Sequence, residues 1–422
     1  LEKEGLYFMQ NVCIRTGELL LPNQTVDLTS WAFVACDQYT SQPAYWQEAE
    51  ALVGDKPSAL RLILPEVYLA QAQARIPAIH QTMQSYLQNG VITPAVKDGF
   101  ILVERSTGEG ARLGLVVLLD LETYDYRKGS RTPVRATEGT IVERIPPRLA
   151  IRRGAPLELS HVMMLFDDTM HSVVEPLHDK RASLTKLYDF PLMMGGGHLT
   201  GYAVTDPEDI KSVYSALAAL QSRSDMLFAV GDGNHSLAAA KSYWEEVKQT
   251  LPPDRQADHP ARYAMVEIEN IHDDALIFEP IHRVLYGFDG DDLLSELEQY
   301  AVAKGWSLSG SEGHSVMVVY EGKQVELCIG GSGEHLAVGT LQAFLDEWMQ
   351  GKTGLTLDYV HGEPAARTLA TQPDTVAFIL PAMHKSELFP AVEATGALPR
   401  KTFSMGEAHE KRYYMEARKI QR

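Results

Sequence analysis

Short apolar runs of strand length alternate along the chain with stretches whose apolar residues recur at helical spacing, and neither internal repeats nor low-complexity segments interrupt them. That pattern predicts a mixed α/β fold. Leu60-Arg61-Leu62-Ile63-Leu64 reads as a strand closed by Pro65, followed by a helix that passes through Gln84, Ser85, Tyr86 and Leu87 and stops at Asn89-Gly90. Residues 100–104 and 113–120 read as neighbouring strands around a Gly108-Glu109-Gly110 turn. Gly195-Gly196-Gly197-His198 lacks the preceding strand and the spacing of a dinucleotide or P-loop fingerprint, so it is expected to be a flexible turn into a strand holding Tyr202 and Val204.

The clearest local pattern starts at Asp206. Asp206 suits an N-cap, Pro207 suits the first helical position, and Glu208 and Asp209 complement the helix dipole. Ile210, Val213, Leu217 and Leu220 then share one face. Met226-Leu227-Phe228-Ala229-Val230 follows as a continuous apolar run, the mark of a strand buried on both sides. After Gly231-Asp232-Gly233-Asn234-His235-Ser236, a second helix is predicted from Leu237, Ala240, Trp244 and Val247. A further α+β region is expected from Asp289 onward, with helices over 291–304 and 341–349 and a hairpin of 316–320 with 324–328 across Glu321-Gly322-Lys323. The expected division is therefore residues 1–288 and a smaller region, 289–422.

Composition narrows the function classes. The chain has 422 residues, long enough for two or three domains with cores that need no disulfide or metal. Lys and Arg number 38 against 56 Asp and Glu, so the formal charge is −18, which argues against a nucleic-acid or membrane-surface binder. Cys13, Cys36 and Cys328 form no Cys-x-x-Cys pair, and no signal-like or membrane-length apolar segment stands out, so a cytoplasmic, reducing setting is expected. Residues 1–9 carry no weight in this reading. Cys36 is expected to be a packed thiol, and His171, His178 and His198 do not stand at metal-ligand spacing.

Against that acidic background the basic segment 127–153, the His282-Arg283 pair and the Arg400-Lys401 pair are candidates for binding a small anion, and a polar corner joins them. The corner Asp232-Gly233-Asn234-His235-Ser236 sits between a buried strand and a helix start, whose unpaired N–H groups can cradle phosphate oxygens. Gly233 allows close approach, Asp232 suits magnesium or a proton, and His235 suits donation to phosphate or proton transfer. The same residues also suit a simple helix cap and turn, and both readings stand at this level. Arg135-Ala136-Thr137-Glu138 offers a guanidinium for phosphate and a carboxylate for deprotonating a hydroxyl. His282 and Arg283, in Glu279-Pro280-Ile281-His282-Arg283, and Lys401, in Pro399-Arg400-Lys401-Thr402-Phe403-Ser404, are further candidates for a shared cleft, or else charged strand ends and a surface loop.

In this order, Phe228-Ala229-Val230-Gly231-Asp232-Gly233-Asn234-His235, the Glu279 to Arg283 motif and Leu398-Pro399-Arg400-Lys401-Thr402-Phe403 resemble the bacterial and archaeal family catalogued as domain of unknown function 1015. Ala35-Cys36-Asp37-Gln38-Tyr39-Thr40-Ser41-Gln42-Pro43 and Leu62-Ile63-Leu64-Pro65-Glu66 resemble one branch of it. In many relatives the central turn reads Asp-Gly-His-His-Arg, similar to the phosphate-contacting turn of the ParB and sulfiredoxin superfamily, which includes free-serine kinases. The resemblance implies a ParB/sulfiredoxin-like nucleotide-binding core with added strands and helices. Asp232, Gly233 and His235 match that turn, whereas Asn234 stands where a histidine is common and Ser236 where an arginine is common.

The resemblance further implies a phosphotransferase that uses ATP or ADP with magnesium on a small hydroxyl metabolite, L-serine first. In it Glu138 is the base, magnesium lies near Asp232, Gly233, Asn234, His235 and Ser236 cradle phosphates, and Arg135, His282, Arg283 and Lys401 steady the anionic end. A non-catalytic module that senses a nucleotide or anionic metabolite is the alternative, and a phosphate-ester hydrolase using Asp232 and His235 is a third.

Overall fold

The Oδ1 of Asp206 accepts the backbone N–H groups of Glu208 (2.9 Å) and Asp209 (3.4 Å), so the helix Pro207–Gln221 begins where its cap predicts. Its Val213, Leu217 and Leu220 are buried. Phe228, Ala229 and Val230 are wholly buried in the strand Phe228–Asp232, and Leu237, Ala240 and Trp244 are the buried face of the helix Asn234–Gln249. The helix Ala72–Gln88 ends before Asn89, with Gly90 at φ +67°. Strands Ile92–Thr107 and Gly110–Asp120 pair antiparallel from Ile101 opposite Val116 to Thr107 opposite Gly110.

This computed structural model describes residues 12–40, 42–107, 110–127, 129–159, 162–310 and 312–421; among positions named above, 1–9, Ser41, Gly108 and Glu109 lie outside them. The fold is mixed α/β. Two local expectations are corrected. Residues 60–64 form no strand: Ala59–Arg61 is a 3-10 turn, because the Ser58 hydroxyl accepts from Leu60 N (3.2 Å) and donates to the Trp31 carbonyl (3.2 Å). Leu60, Leu62 and Leu64 are buried without a ladder partner. The triple glycine is a fixed turn, not a flexible one. A Cβ on Gly197 (φ +83°) would fall 1.9 Å from the Ser106 carbonyl oxygen, and the Gly196 carbonyl accepts from Nε (3.1 Å) and Nη2 (3.0 Å) of buried Arg105. The strand His198–Val204 follows it.

The chain divides into two compact units, one holding residues up to Leu276 together with those from Glu407 onward, the other Ile277–Gly406. In the first, the main sheet runs Tyr124–Asp125, Val134–Ala136, Phe228–Asp232, Met163–Phe166, Tyr263–Asn270, Gly110–Asp120, Ile92–Thr107, Gly17–Pro22, Ala417–Lys419 and Leu157–Leu159. Ala417–Lys419 thus pairs with Gly17–Pro22, from the other end of the described residues, at Ala417 opposite Leu20. In the second unit, the sheet runs Lys323–Ile329, His314–Tyr320, Thr375–Ile379, Phe278–Tyr286 and Thr356–His361. The strand Phe278–Tyr286, which a division at residue 288 leaves in the first region, belongs here. Asp289 caps the helix Gly290–Lys304, and the hairpin turns through Glu321 (φ +47°) and Gly322 (φ +78°), the positive-φ pair of a two-residue loop. The helix Ala337–Trp348 covers the later helical expectation. Among the described residues, no helix is long and apolar enough to cross a membrane.

Candidate functional site

The strand Phe228–Asp232 runs parallel to Val134–Ala136, with Val230 opposite Ala136, and antiparallel to Met163–Phe166. Parallel neighbours carry their succeeding residues to the same end of the sheet, so Asp232 and Glu138 each stand two residues beyond that last registered pair. The corner is held tightly. Thr137, buried, donates its hydroxyl to the Val230 carbonyl (2.7 Å), and the Asp232 Oδ1 accepts the Gly233 N–H (3.0 Å). Gly233 is left-handed at φ +86°, and a Cβ there would lie 3.0 Å from Val162 Cγ2. Only glycine takes this turn without strain. The helix Asn234–Gln249 therefore starts on a residue with no side chain to cap its first N–H groups.

His235 joins that helix start to the loop beyond Glu138. Its Nε2 accepts the Ile141 N–H (3.3 Å), which leaves the proton of the neutral ring on Nδ1. Asp232, Gly233, Asn234, His235, Ser236 and Glu138 are all half-buried. Two polar atoms on these same segments, Asn234 Oδ1 and Thr140 Oγ1, are buried without a hydrogen-bond partner. An orphaned buried polar atom costs about 1–3 kcal/mol, so its presence at this corner fits a site that receives a polar ligand.

Charge around the corner comes from residues that local sequence did not single out. Arg148 lies on the helix Ile145–Arg152, which packs against Asn234–Gln249; it pairs with Glu66 and donates Nη1 to the Arg144 carbonyl (2.9 Å). Tyr414 is buried and stacks on Phe33 at 6.0 Å. Burial, then the Asp232 carboxylate, push its phenol pKa above the ordinary tyrosine range, while Arg148 pulls it back. The arginine-rich segment 127–153 held a signal for Arg148; nothing near Tyr414 pointed to this corner. Arg135 is buried, and its Nε donates to the Thr132 carbonyl (2.9 Å) ahead of its own strand.

His282, Arg283 and Lys401 belong to the second unit. His282 is buried, its Nδ1 accepts the Leu380 N–H (3.2 Å), and burial lowers its pKa. Arg283 is wholly buried: Nη1 donates to the carbonyls of Ile281 (2.6 Å) and Lys401 (2.7 Å), and Nη2 to that of Arg400 (2.8 Å). Its Nε donates to Gln342 Oε1 (3.3 Å). This guanidinium braces the loop that carries Lys401, whose own backbone is left-handed at φ +56°. Among the described residues, no three His, Cys, Asp or Glu side chains are grouped to hold a metal ion. Magnesium on a nucleotide needs only one or two carboxylates beside the phosphates and its waters, a demand that Asp232 meets.

A family model described as "Protein of unknown function (DUF1015)" matches residues 20–348. No curated protein matches the sequence. Among solved structures, free serine kinase in complex with AMP is 13% identical, with 72% of this chain and 92% of that chain covered at a TM-score of 0.38. SbnI with C-terminal truncation from Staphylococcus aureus is 8% identical, with 69% and 82% covered at 0.36. A conserved hypothetical protein from Pyrococcus furiosus is 12% identical, with 72% and 95% covered at 0.34.

Proposed function

The chain belongs to the DUF1015 family, and from that premise we propose that its 232–236 corner binds nucleotide phosphates and that the protein transfers a phosphoryl group to a small hydroxyl metabolite, L-serine being the first candidate. The observation that carries this reading is the parallel pairing of Val230 with Ala136, which delivers Glu138 and Asp232 to one end of adjacent strands. Phosphoryl transfer needs positioning and charge neutralisation more than covalent chemistry. Glu138 takes the proton of the acceptor hydroxyl while that oxygen bonds to the terminal phosphorus. The bond from that phosphorus to the bridging oxygen breaks, and the departing nucleotide keeps the electron pair. The first N–H groups of Asn234–Gln249 and the Nδ1–H of His235 donate to phosphate oxygens, and Thr140 and Asn234 gain partners from the bound ligand. Magnesium, when bound, neutralises phosphate charge, and Asp232 is the residue that would hold it. Arg135 is assigned to the phosphate side, and His282, Arg283 and Lys401, which belong to the second unit, are given no role at this corner. Cys13, Cys36 and Cys328, which form no disulfide, agree with a cytosolic setting, and the charge of −18 with a small anion rather than a nucleic acid as partner.

Incubation with ATP or ADP, magnesium and serine tests the reading. Phosphoserine is expected with at least one nucleotide, and Glu138→Gln is expected to lower turnover about 10²–10⁴-fold while nucleotide still raises the melting temperature. A folded protein that forms no phosphoserine with either nucleotide removes the serine version. Nucleotide-induced stabilisation without product from any hydroxyl acceptor turns the reading into a sensor.

A further inference from the structure

Phosphate oxygens gathered at a helix start call for a cation beside them, and Ser236 supplies none. Arg148 meets the requirement from a neighbouring helix. The segment that leads into Ile145–Arg152 is tied to the corner by the Ile141 N–H on His235 Nε2 (3.3 Å), and the helix itself packs along Asn234–Gln249. Ile145 and Leu149 are buried and fix its inner face. Arg148, next to Leu149, keeps only 13% of its side chain exposed, and Glu66 pairs with its Nη2. The buried Tyr414 phenol feels the charges of both Asp232 and Arg148.

We propose that Arg148 is the phosphate-binding cation of this site and that Glu66 is its positioning partner. This rests on the reading that the 232–236 corner receives phosphates. A guanidinium presents its N–H groups as a planar fork, so it holds a carboxylate on one edge while it meets a phosphate on another, which an ammonium cannot do. Glu66 keeps the fork ordered before the ligand arrives and lowers the entropy lost on binding. The ligand class is a nucleoside di- or triphosphate.

The experiment titrates the full chain with ADP, ATP and adenosine by calorimetry, alongside ligand-free melting curves. Arg148→Gln is expected to weaken ADP and ATP about ten- to a hundredfold, the range for a lost charge-assisted hydrogen bond, and to flatten the salt dependence of that affinity. Adenosine, which has no phosphate, is expected to bind the variant as it binds the wild type, or to neither. Glu66→Gln, which removes the carboxylate charge beside the guanidinium, is expected to weaken ADP only a fewfold. Should Arg148→Gln fail to fold, Arg148→Lys keeps the charge without the fork and is expected to lose at least roughly threefold with an unchanged melting curve. An Arg148→Gln protein that binds ADP within about twofold of a wild type that does bind it overturns this inference and leaves the phosphate site standing. A wild type that binds neither ADP nor ATP overturns both.

Discussion

Glu269 offers a sharp test of the energetics inside the first unit. It lies on the strand Tyr263–Asn270 opposite Gly114, wholly buried. Neither carboxylate oxygen has a hydrogen-bond partner; Arg112 Nε comes to 3.2 Å of Oε1 without donating to it. Burial disfavours the charged form, and Glu267 and Asp273 add to it, so that against the pull of Arg112 and Arg412 the carboxyl is pushed up to about 8. The 3.2 Å approach does not reverse the direction, because a guanidinium that donates no hydrogen bond leaves the buried carboxylate unsolvated. In the unfolded chain the same group titrates near ~4.3. Between those two values the folded state holds the extra proton, so stability is highest on the acid side and falls as the pH rises through the window. Each pH unit inside it is worth up to about 1.4 kcal/mol, so the loss between about pH 5 and about pH 7 is on the order of 2–3 kcal/mol. Glu269→Gln keeps the shape and removes the titration. Urea unfolding of both proteins at a series of pH values is expected to show the variant gaining on the wild type by that amount across the interval. Parallel curves would refute the argument, and a gap that widens toward acid would mean that Glu269 is ionised in the folded protein.

Gly233→Ala places a Cβ at φ +86° against Val162, so a loss of about 2 kcal/mol is expected, together with loss of any nucleotide-induced rise in melting temperature. Asp206→Ala removes the cap of Pro207–Gln221, and chemical denaturation is expected to report a loss of about 1 kcal/mol with nucleotide binding untouched. Arg283→Lys cannot reproduce a fork shared among three carbonyls, so amide exchange of peptides within 277–406 is expected to accelerate, by an opening free energy lowered about 3 kcal/mol. Unchanged exchange there would show that the loop carrying Lys401 is held by other contacts.

The parts of the fold that were legible are those whose cause is local. Asp206, Pro207 and the apolar face from Val213 to Leu220 specify a helix with no help from the rest of the chain, and the run ending at Val230 names its own burial. Residues 60–64 misled because apolar density says that a segment is buried but not what it pairs with. There the backbone is drawn into a turn by Ser58, whose other partner is Trp31. The glycines at 195–197 misled for a similar reason. Their rigidity comes from Arg105 and Tyr413, which lie far away in the chain. In the candidate site the corner at 232–236 was legible from its strand, glycine and helix, and the basic run 127–153 contained Arg148 without singling it out, whereas nothing in the local pattern marked Tyr414. Arg283 shows the opposite case. Its charge read as an anion ligand, and the structure surrounds it with backbone carbonyls.

The first unit is discontinuous, with Ile277–Gly406 inserted between its bulk and the strand Ala417–Lys419. That order has a consequence for biosynthesis. While the ribosome is still making residues beyond Gly406, Gly17–Pro22 and Leu157–Leu159 lack the strand that lies between them, and Phe33 lacks the Tyr414 ring that stacks on it. The inserted unit is continuous in the chain and is free to fold first. The nascent protein is therefore expected to pass through a stage with an open sheet edge, when a chaperone that shields unpaired strands has most to do.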